Sequence, residues 1–158
     1  MFDHASDPIP ETESISSRDS KKIAVVGSGP AGLSCAYFLA LLGYEGTIYE
    51  ARQEPGGAMR WGIPGYRLPK SVLKREIGRI LNLGIKLETG IDVGKDIPFD
   101  ELNRFDAVFL SPGAGRSLPL EIEGEDLKKV RRGSDFLGHI NSGKKVRMGK
   151  EVIVIGGG

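Results

Sequence analysis

Three glycines carry the clearest chemical signal in the chain. Gly27, Gly29 and Gly32 stand in G-x-G-x-x-G spacing within VVGSGPAG, and Glu50 follows 18 residues after Gly32. Each type has a physical reason at its position. The first glycine permits a tight turn after a strand. The second lets backbone approach a pyrophosphate, and the third lets the next helix lie close to the strand. The start of that helix would present unpaired N–H groups and a partial positive charge to phosphates. The Glu50 carboxylate suits ribose hydroxyls and repels a 2′-phosphate, so the pattern fits FAD or NAD better than NADP. A glycine turn without a ligand is the plain alternative, and spacing alone does not separate FAD from NAD.

These residues need a strand, a helix and a second strand to hold them. KKIAVVG opens with Ile23 to Val26, a short β-branched run of the kind found in buried parallel strands. Pro30 sits where a first helical turn tolerates it, and Leu33, Ala36, Tyr37, Ala40 and Leu41 recur at helical spacing. Gly43 supplies a stop, and GTIYE reads as the second strand. The three elements make a right-handed βαβ unit. Further on, Ser71 is positioned to cap a helix with an apolar face of Val72, Leu73, Ile77, Ile80 and Leu81, ended by Gly84. IKLE and DAVFLS (Asp106 to Ser111) read as strands, a helix falls around Ser134 to Ile140, and EVIVI reads as one more strand. Alternating strands and helices predict a doubly wound parallel α/β sheet.

Between the second strand and the next helix lies PGGAMRWGIPGYRLP. Pro64 and Pro69 stiffen this loop while Gly56, Gly57, Gly62 and Gly65 let it turn. Arg60 and Arg67 could pair with phosphates, and Trp61 could pack on a ring system or a neighbouring subunit. The competing reading is a surface loop with exposed arginines and a partly buried tryptophan.

Bulk properties narrow the function classes. The chain has 158 residues and a formal net charge of +1, so no global field draws it to nucleic acid or membrane. Its single cysteine, Cys35, excludes an internal disulfide framework and any cysteine-bound cluster made by this chain alone. Cys35 therefore reads as a small apolar filler rather than a redox partner, and His4 and His139 lack companions at metal-ligand spacing. No metal site is expected. No residue is singled out as a catalytic acid, base or nucleophile. No apolar run is long enough to span a membrane, and MFDHASDPIP is not a secretory signal, which leaves a cytoplasmic location by default. The basic stretches KKVRRG and GKKVRMGK read as solvated surface, with an acidic electron-transfer partner as the sharper alternative.

The stretch from Gly27 to Ile77 resembles the FAD-binding region of the glutamate synthase small (β) subunit family. That group includes the FAD/NADPH part of dihydropyrimidine dehydrogenase and related ferredoxin-linked NADP oxidoreductase subunits. Three blocks carry the likeness: Gly27–Gly32, the loop from Gly56-Gly57 to Pro69, and FDAVFLSPGAG at Phe105–Gly115. The middle block, with GIP and YRLP, is the most specific. The resemblance implies that Gly27, Ser28, Gly29, Pro30 and Ala31 hold the FAD pyrophosphate. It places Glu50 at the adenosine ribose and counts Ala51 among the cofactor-binding residues. Gly57, Ala58 and Arg67 would lie along the pyrophosphate and flavin side, and the Val93 backbone would meet the adenine. Gly113 is kept, but SPGAG stands where the family usually reads A-T-G-A, so Ser111 and Pro112 depart from the pattern.

The last residues, VIVIGGG, repeat strand plus G-x-G, with Gly156 and Gly158 as the first two glycines. In the family a second fingerprint opens the NAD(P)H domain. The expected layout is a flexible tail over 1–20, a Rossmann-like FAD domain over 21–115, a connecting segment over 116–150, and the start of an incomplete NAD(P)H domain over 151–158. The chain is expected to be inactive by itself. The implied activity is electron flow from NAD(P)H through FAD to iron–sulfur clusters on a partner subunit or domain. A single-site NAD-dependent dehydrogenase and a non-catalytic FAD-binding module are the rivals.

Overall fold

The structure, a computed structural model, describes residues 20–115 and 117–156. The expected tail, apart from Ser20, and Gly158 lie outside the described residues. The elements run β1 (Lys22–Val26), α1 (Pro30–Leu41), β2 (Glu45–Glu50), α2 (Gly57–Trp61), α3 (Lys70–Leu81), β3 (Lys86–Thr89), a 3-10 helix (Phe99–Arg104), β4 (Ala107–Leu110) and α4 (Gly133–Asn141). The four strands form one parallel sheet in the order β3-β2-β1-β4.

Strand alternation decides what each face buries. Val25 and Ile48, paired in register, point to the side covered by α1 and α3. There they join Leu33, Ala36, Leu73, Ile77 and Ile85 in the main core. Their neighbours Ala24 and Tyr49 point the other way and pack on Leu102 of the 3-10 helix, with Ile91, Val93, Ile97 and Phe105 around them. Burying each large aliphatic side chain contributes roughly 1.5–3 kcal/mol, so the α1/α3 side holds most of the apolar stabilisation. The second face is covered mainly by the chain between β3 and β4 rather than by long helices.

Two local expectations need correction. Ser71 does not cap α3. The helix starts at Lys70 with Pro69 as N-cap, two residues before the expected cap, and no side-chain cap bond forms. The Pro69 carbonyl accepts from Val72 and Leu73 at 3.1 and 3.2 Å, which leaves Ser71 exposed inside the first turn. The EVIVI segment does not form a strand: Val152, Ile153, Val154 and Ile155 are unpaired and 54–90% exposed. A strand is defined by its neighbour, and none of the described strands lies against this run.

Cys35 faces partly into the main core. Burial pushes its thiol above the ordinary range. The thiolate is the reactive form, so alkylation by iodoacetamide at pH 8 should proceed more slowly than for a free cysteine and speed up as pH rises further. A rate equal to that of free cysteine would contradict the buried placement.

Candidate functional site

The glycine turn sits at the carboxyl end of β1, next to the point where the strand order reverses between β1 and β4. Open α/β sheets place ligands in that crevice. Gly27 turns the chain with φ +99°, and its N–H donates to the Tyr49 carbonyl at 2.8 Å. Gly29 is the N-cap of α1 and Pro30 its first residue. The first bond of the helix runs from Leu33 N–H to the Gly29 carbonyl at 3.0 Å. The amides of Ala31 and Gly32 therefore lie in the opening turn, where helical N–H groups have no intrahelical acceptor.

Close packing fixes two of the three glycines. A Cβ on Gly32 would fall inside contact distance of the Gly27 carbonyl and 2.8 Å from Ser111 Oγ. A Cβ on Gly27 would strike the Ser111 carbonyl. Gly29 is different: the nearest atom to an added Cβ is Gly57 Cα, 4.0 Å away. The first and third glycines make room for protein. The second leaves open space, which is the property a pyrophosphate requires.

Glu50 is 8% exposed and ends β2. Three donors converge on its carboxylate. Ser28 N–H reaches Oε2 at 3.0 Å, the Ser28 hydroxyl also bonds Oε2, and Arg52 N–H reaches Oε1 at 2.9 Å. The Ser28 side chain is fully buried and points into protein. Gly56 N–H donates to its Oγ at 3.2 Å and to its carbonyl at 3.1 Å. One serine thus joins the glycine turn to Glu50 and to the middle loop.

Gly57 follows at once and begins α2, a short helix that sequence periodicity does not reveal. A Cβ on Gly57 would lie 2.6 Å from Gly29 Cα, so the two backbones form one wall. Ala58 is exposed beside it. Ala51 is exposed after Glu50, and the Glu50 carbonyl accepts from Ile91 N–H at 3.0 Å, which brings the turn leading to Val93 near the acidic residue. Val93 itself is half-buried. The bond closing its bridge to Ile97 is donated by Gly94, at 2.7 Å. Arg67 is exposed after the Pro64 turn. Gly113 has φ +74° and open space where a side chain would stand. Gly156 lies in the exposed, unpaired terminal run, away from these residues in sequence and in no strand.

Arg60 departs from expectation, and the structure shows what Lys70, Ser111 and Trp61 touch. Arg60 is buried, ion-paired to Glu54 and bonded to the Pro55 carbonyl at 2.5 Å, so it braces the loop instead of facing a phosphate. Lys70 donates to the Arg60 carbonyl. Burial, and then the neighbouring Arg60 charge, lower the Lys70 pKa, while Glu54 opposes them. Ser111, a departure from the family pattern, has a packing role: its one hydroxyl proton lies between the Val26 and Gly27 carbonyls, 2.9 and 3.2 Å from Oγ. Trp61 lies under the Arg52 guanidinium, 4.9 Å from its ring centre, and its carbonyl accepts from Asn141 of α4 at 2.9 Å. Among the described residues no cluster of His, Cys, Asp or Glu could hold a metal ion, and no helix is long and apolar enough to cross a membrane.

The fold and turn define a Rossmann-like α/β nucleotide-binding domain. Residues 25–72 match the model of an NAD(P)-binding Rossmann-like domain. FprA from Mycobacterium tuberculosis, solved in complex with NADPH, superposes with a TM-score of 0.70 at 25% identity, over 78% of this chain and 29% of that one. The relatives narrow the class. The chain is 50% identical to the NADPH-Fe(3+) oxidoreductase subunit beta of Geobacter sulfurreducens, over 87% of its own length and 21% of that protein. It is 41% identical to the glutamate synthase [NADPH] small chain of Bacillus subtilis, over 89% of its length and 31% of that protein. The chain is thus a homologue of glutamate synthase small subunits and their relatives, and spans less than a third of these two proteins.

Proposed function

We propose that this chain is the FAD-binding part of an NAD(P)H-dependent flavin oxidoreductase of the glutamate synthase small-subunit type. The observation that carries the reading is the meeting of three features at the carboxyl end of β1 and β2: the open approach over Gly29, the first-turn amides of α1, and the fixed Glu50 carboxylate. The residues fit a dinucleotide. Ala31 and Gly32 amides would face the pyrophosphate, Glu50 would accept from ribose hydroxyls, and the Gly57–Ala58 backbone would line the path beyond the phosphates. When bound, FAD would supply a hydride acceptor for NAD(P)H and a one-electron donor for iron–sulfur clusters on a partner. The chain's own contribution is to bind, orient and screen the cofactor.

The assignment of residues 21–115 to the FAD domain, 116–150 to a connector and 151–158 to the opening of an NAD(P)H domain belongs to the same proposal. Among the described residues only one strand–glycine turn–helix unit is formed. The 158-residue chain loaded with FAD should therefore show no steady-state NADPH oxidation, whereas a longer form carrying a second complete unit should reduce its flavin.

Titration of the purified chain with FAD and with NAD tests the reading. Saturable binding of FAD, displaced by ADP, with weak NAD binding is expected. Tight NAD binding without FAD binding would favour the single-site dehydrogenase. FAD binding without flavin reduction by NADPH in the longer protein would favour a non-catalytic module.

A further inference from the structure

We infer that Ser28 is a positioning residue for ribose recognition, holding the Glu50 carboxylate in one orientation while fixing the loop that follows it. The inference rests on the dinucleotide reading above and deepens it. Ser28 stands between two glycines of the turn, a place where its backbone would ordinarily be the only part of interest. Its side chain is instead fully buried, with Oγ between the Glu50 carboxylate and the Gly56 N–H.

The direction of each hydrogen bond follows from the donor inventory. Gly56 N–H can only donate, so Ser28 Oγ accepts there, at 3.2 Å. A carboxylate oxygen can only accept, so the hydroxyl proton goes to Glu50 Oε2. The hydroxyl rotor is thereby set. Ser28 N–H adds a second bond to the same oxygen at 3.0 Å, and Arg52 N–H holds Oε1 at 2.9 Å. A carboxylate gripped at both oxygens cannot rotate about its last bond. The one lone pair left, on Oε1, points in a fixed direction, which is the requirement for taking a bond from a ribose hydroxyl rather than attracting any nearby donor. The same hydroxyl holds Gly56, and Gly57 next to it forms the wall against Gly29. Ribose recognition and the shape of the pyrophosphate path share one side chain.

The test separates positioning from simple structural support. Binding of ADP and of 2′-deoxy-ADP to the 158-residue chain is measured by calorimetry for the wild type, Ser28→Ala, Glu50→Ala and the double variant, with a thermal melt of each. ADP carries the pyrophosphate and the ribose that Glu50 would face. The wild type should prefer ADP. In Ser28→Ala that preference should fall by about tenfold, the scale of one hydrogen bond to a charged group. In the Glu50→Ala background, Ser28→Ala should change the preference no further. Loss of ADP and 2′-deoxy-ADP affinity by the same factor would mean that Ser28 only supports the loop, and would overturn the proposal while leaving the dinucleotide reading intact. A wild type that does not distinguish the two nucleotides would remove the ribose role of Glu50, and the proposal with it. Should Ser28→Ala fail to fold, Ser28→Cys answers the same question, because it keeps a side-chain atom at that place, somewhat larger than the oxygen, and replaces the hydroxyl with a weak donor.

Discussion

Gly32→Ala should cost the fold much of its stability, while Gly29→Ala should fold normally and lose its nucleotide. The two substitutions add the same methyl group three residues apart, and only its surroundings differ. At Gly32 the new Cβ lands on the Gly27 carbonyl and within 2.8 Å of Ser111 Oγ. The carbonyl is backbone at the end of a paired strand, and Ser111 is tied to the same strand by its hydroxyl. Neither can swing aside as a flexible side-chain tip would. α1 would have to lift from β1, which also loosens Leu33 and Ala36 in the core. Overpacking of this kind costs about 3 kcal/mol or more, a large share of the 5–15 kcal/mol typical of a domain. A fall in melting temperature of about 10 °C or more is expected. At Gly29 the φ of −70° suits any residue, and the nearest atom to the new Cβ is 4.0 Å away. Its melting temperature without cofactor should stay within a few degrees of the wild type. FAD affinity should fall by about tenfold or more, because the methyl occupies the open approach that the phosphates would use. Thermal melts without cofactor, followed by FAD titration, check both. Equal stability for the two variants would show that the helix is not wedged against the strand as described.

What the sequence made readable follows from periodicity. Strands β1 and β2 and helices α1 and α3 were visible because β-branched runs and the 3.6-residue stripe reflect burial directly; β3 and β4 were visible from their short apolar-rich runs although most of their side chains are exposed or half-buried. α2 was not visible: Gly57–Trp61 holds one turn or so of helix, too short for a stripe, and opens with a glycine. It forms because Gly56 and Gly57 adopt φ of +122° and +50°. Those conformations turn the chain so that Gly56 lies over Leu73 and Ile77, where a Cβ on it would sit 3.1 and 3.5 Å from them. That is a tertiary effect with no local signature. The terminal VIVI run shows the opposite failure. Its residues have the composition of a buried strand, but composition cannot supply the partner strand that makes one.

The same division holds for the candidate site. The glycine spacing and Glu50 were legible because backbone requirements leave residue-type traces. Side-chain direction leaves none. Arg60 has the chemistry of a phosphate ligand, yet Glu54, only six positions earlier, and the Pro55 carbonyl capture it. Arg67 shares its loop and its charge but stays exposed. Ser111 was readable only as a departure from a pattern; that its hydroxyl joins β4 to the end of β1 depends on the sheet order. Ser28, flanked by glycines, gave no hint that its side chain turns inward.

Glu50→Ala should weaken both the apo fold and FAD binding, and Glu50→Gln should restore neither fully. In the alanine variant Ser28 N–H and Oγ–H lose a buried acceptor, and Arg52 N–H loses one nearer the surface. Each buried donor left unpaired costs about 1–3 kcal/mol. Arg52 is exposed, so water can replace its lost bond. A net loss of about 2–4 kcal/mol follows. On the proposed reading a ribose hydroxyl would lose its acceptor as well, and a bond to a charged group contributes about 1.5–3 kcal/mol, so FAD affinity should drop by about a hundredfold. Glutamine has nearly the right shape but the wrong inventory. Its amide has one acceptor oxygen and one donor nitrogen. If the oxygen faces Ser28, the nitrogen meets Arg52 N–H; if it faces Arg52, the nitrogen meets Ser28 N–H. Either way two donors are opposed. Only an acceptor at both ends satisfies the three donors that the fold aims at this point. Full recovery of stability and FAD affinity by Glu50→Gln would show that charge and acceptor count are not what the site requires there. Denaturant unfolding of the apo chains and FAD titration of the same samples decide it.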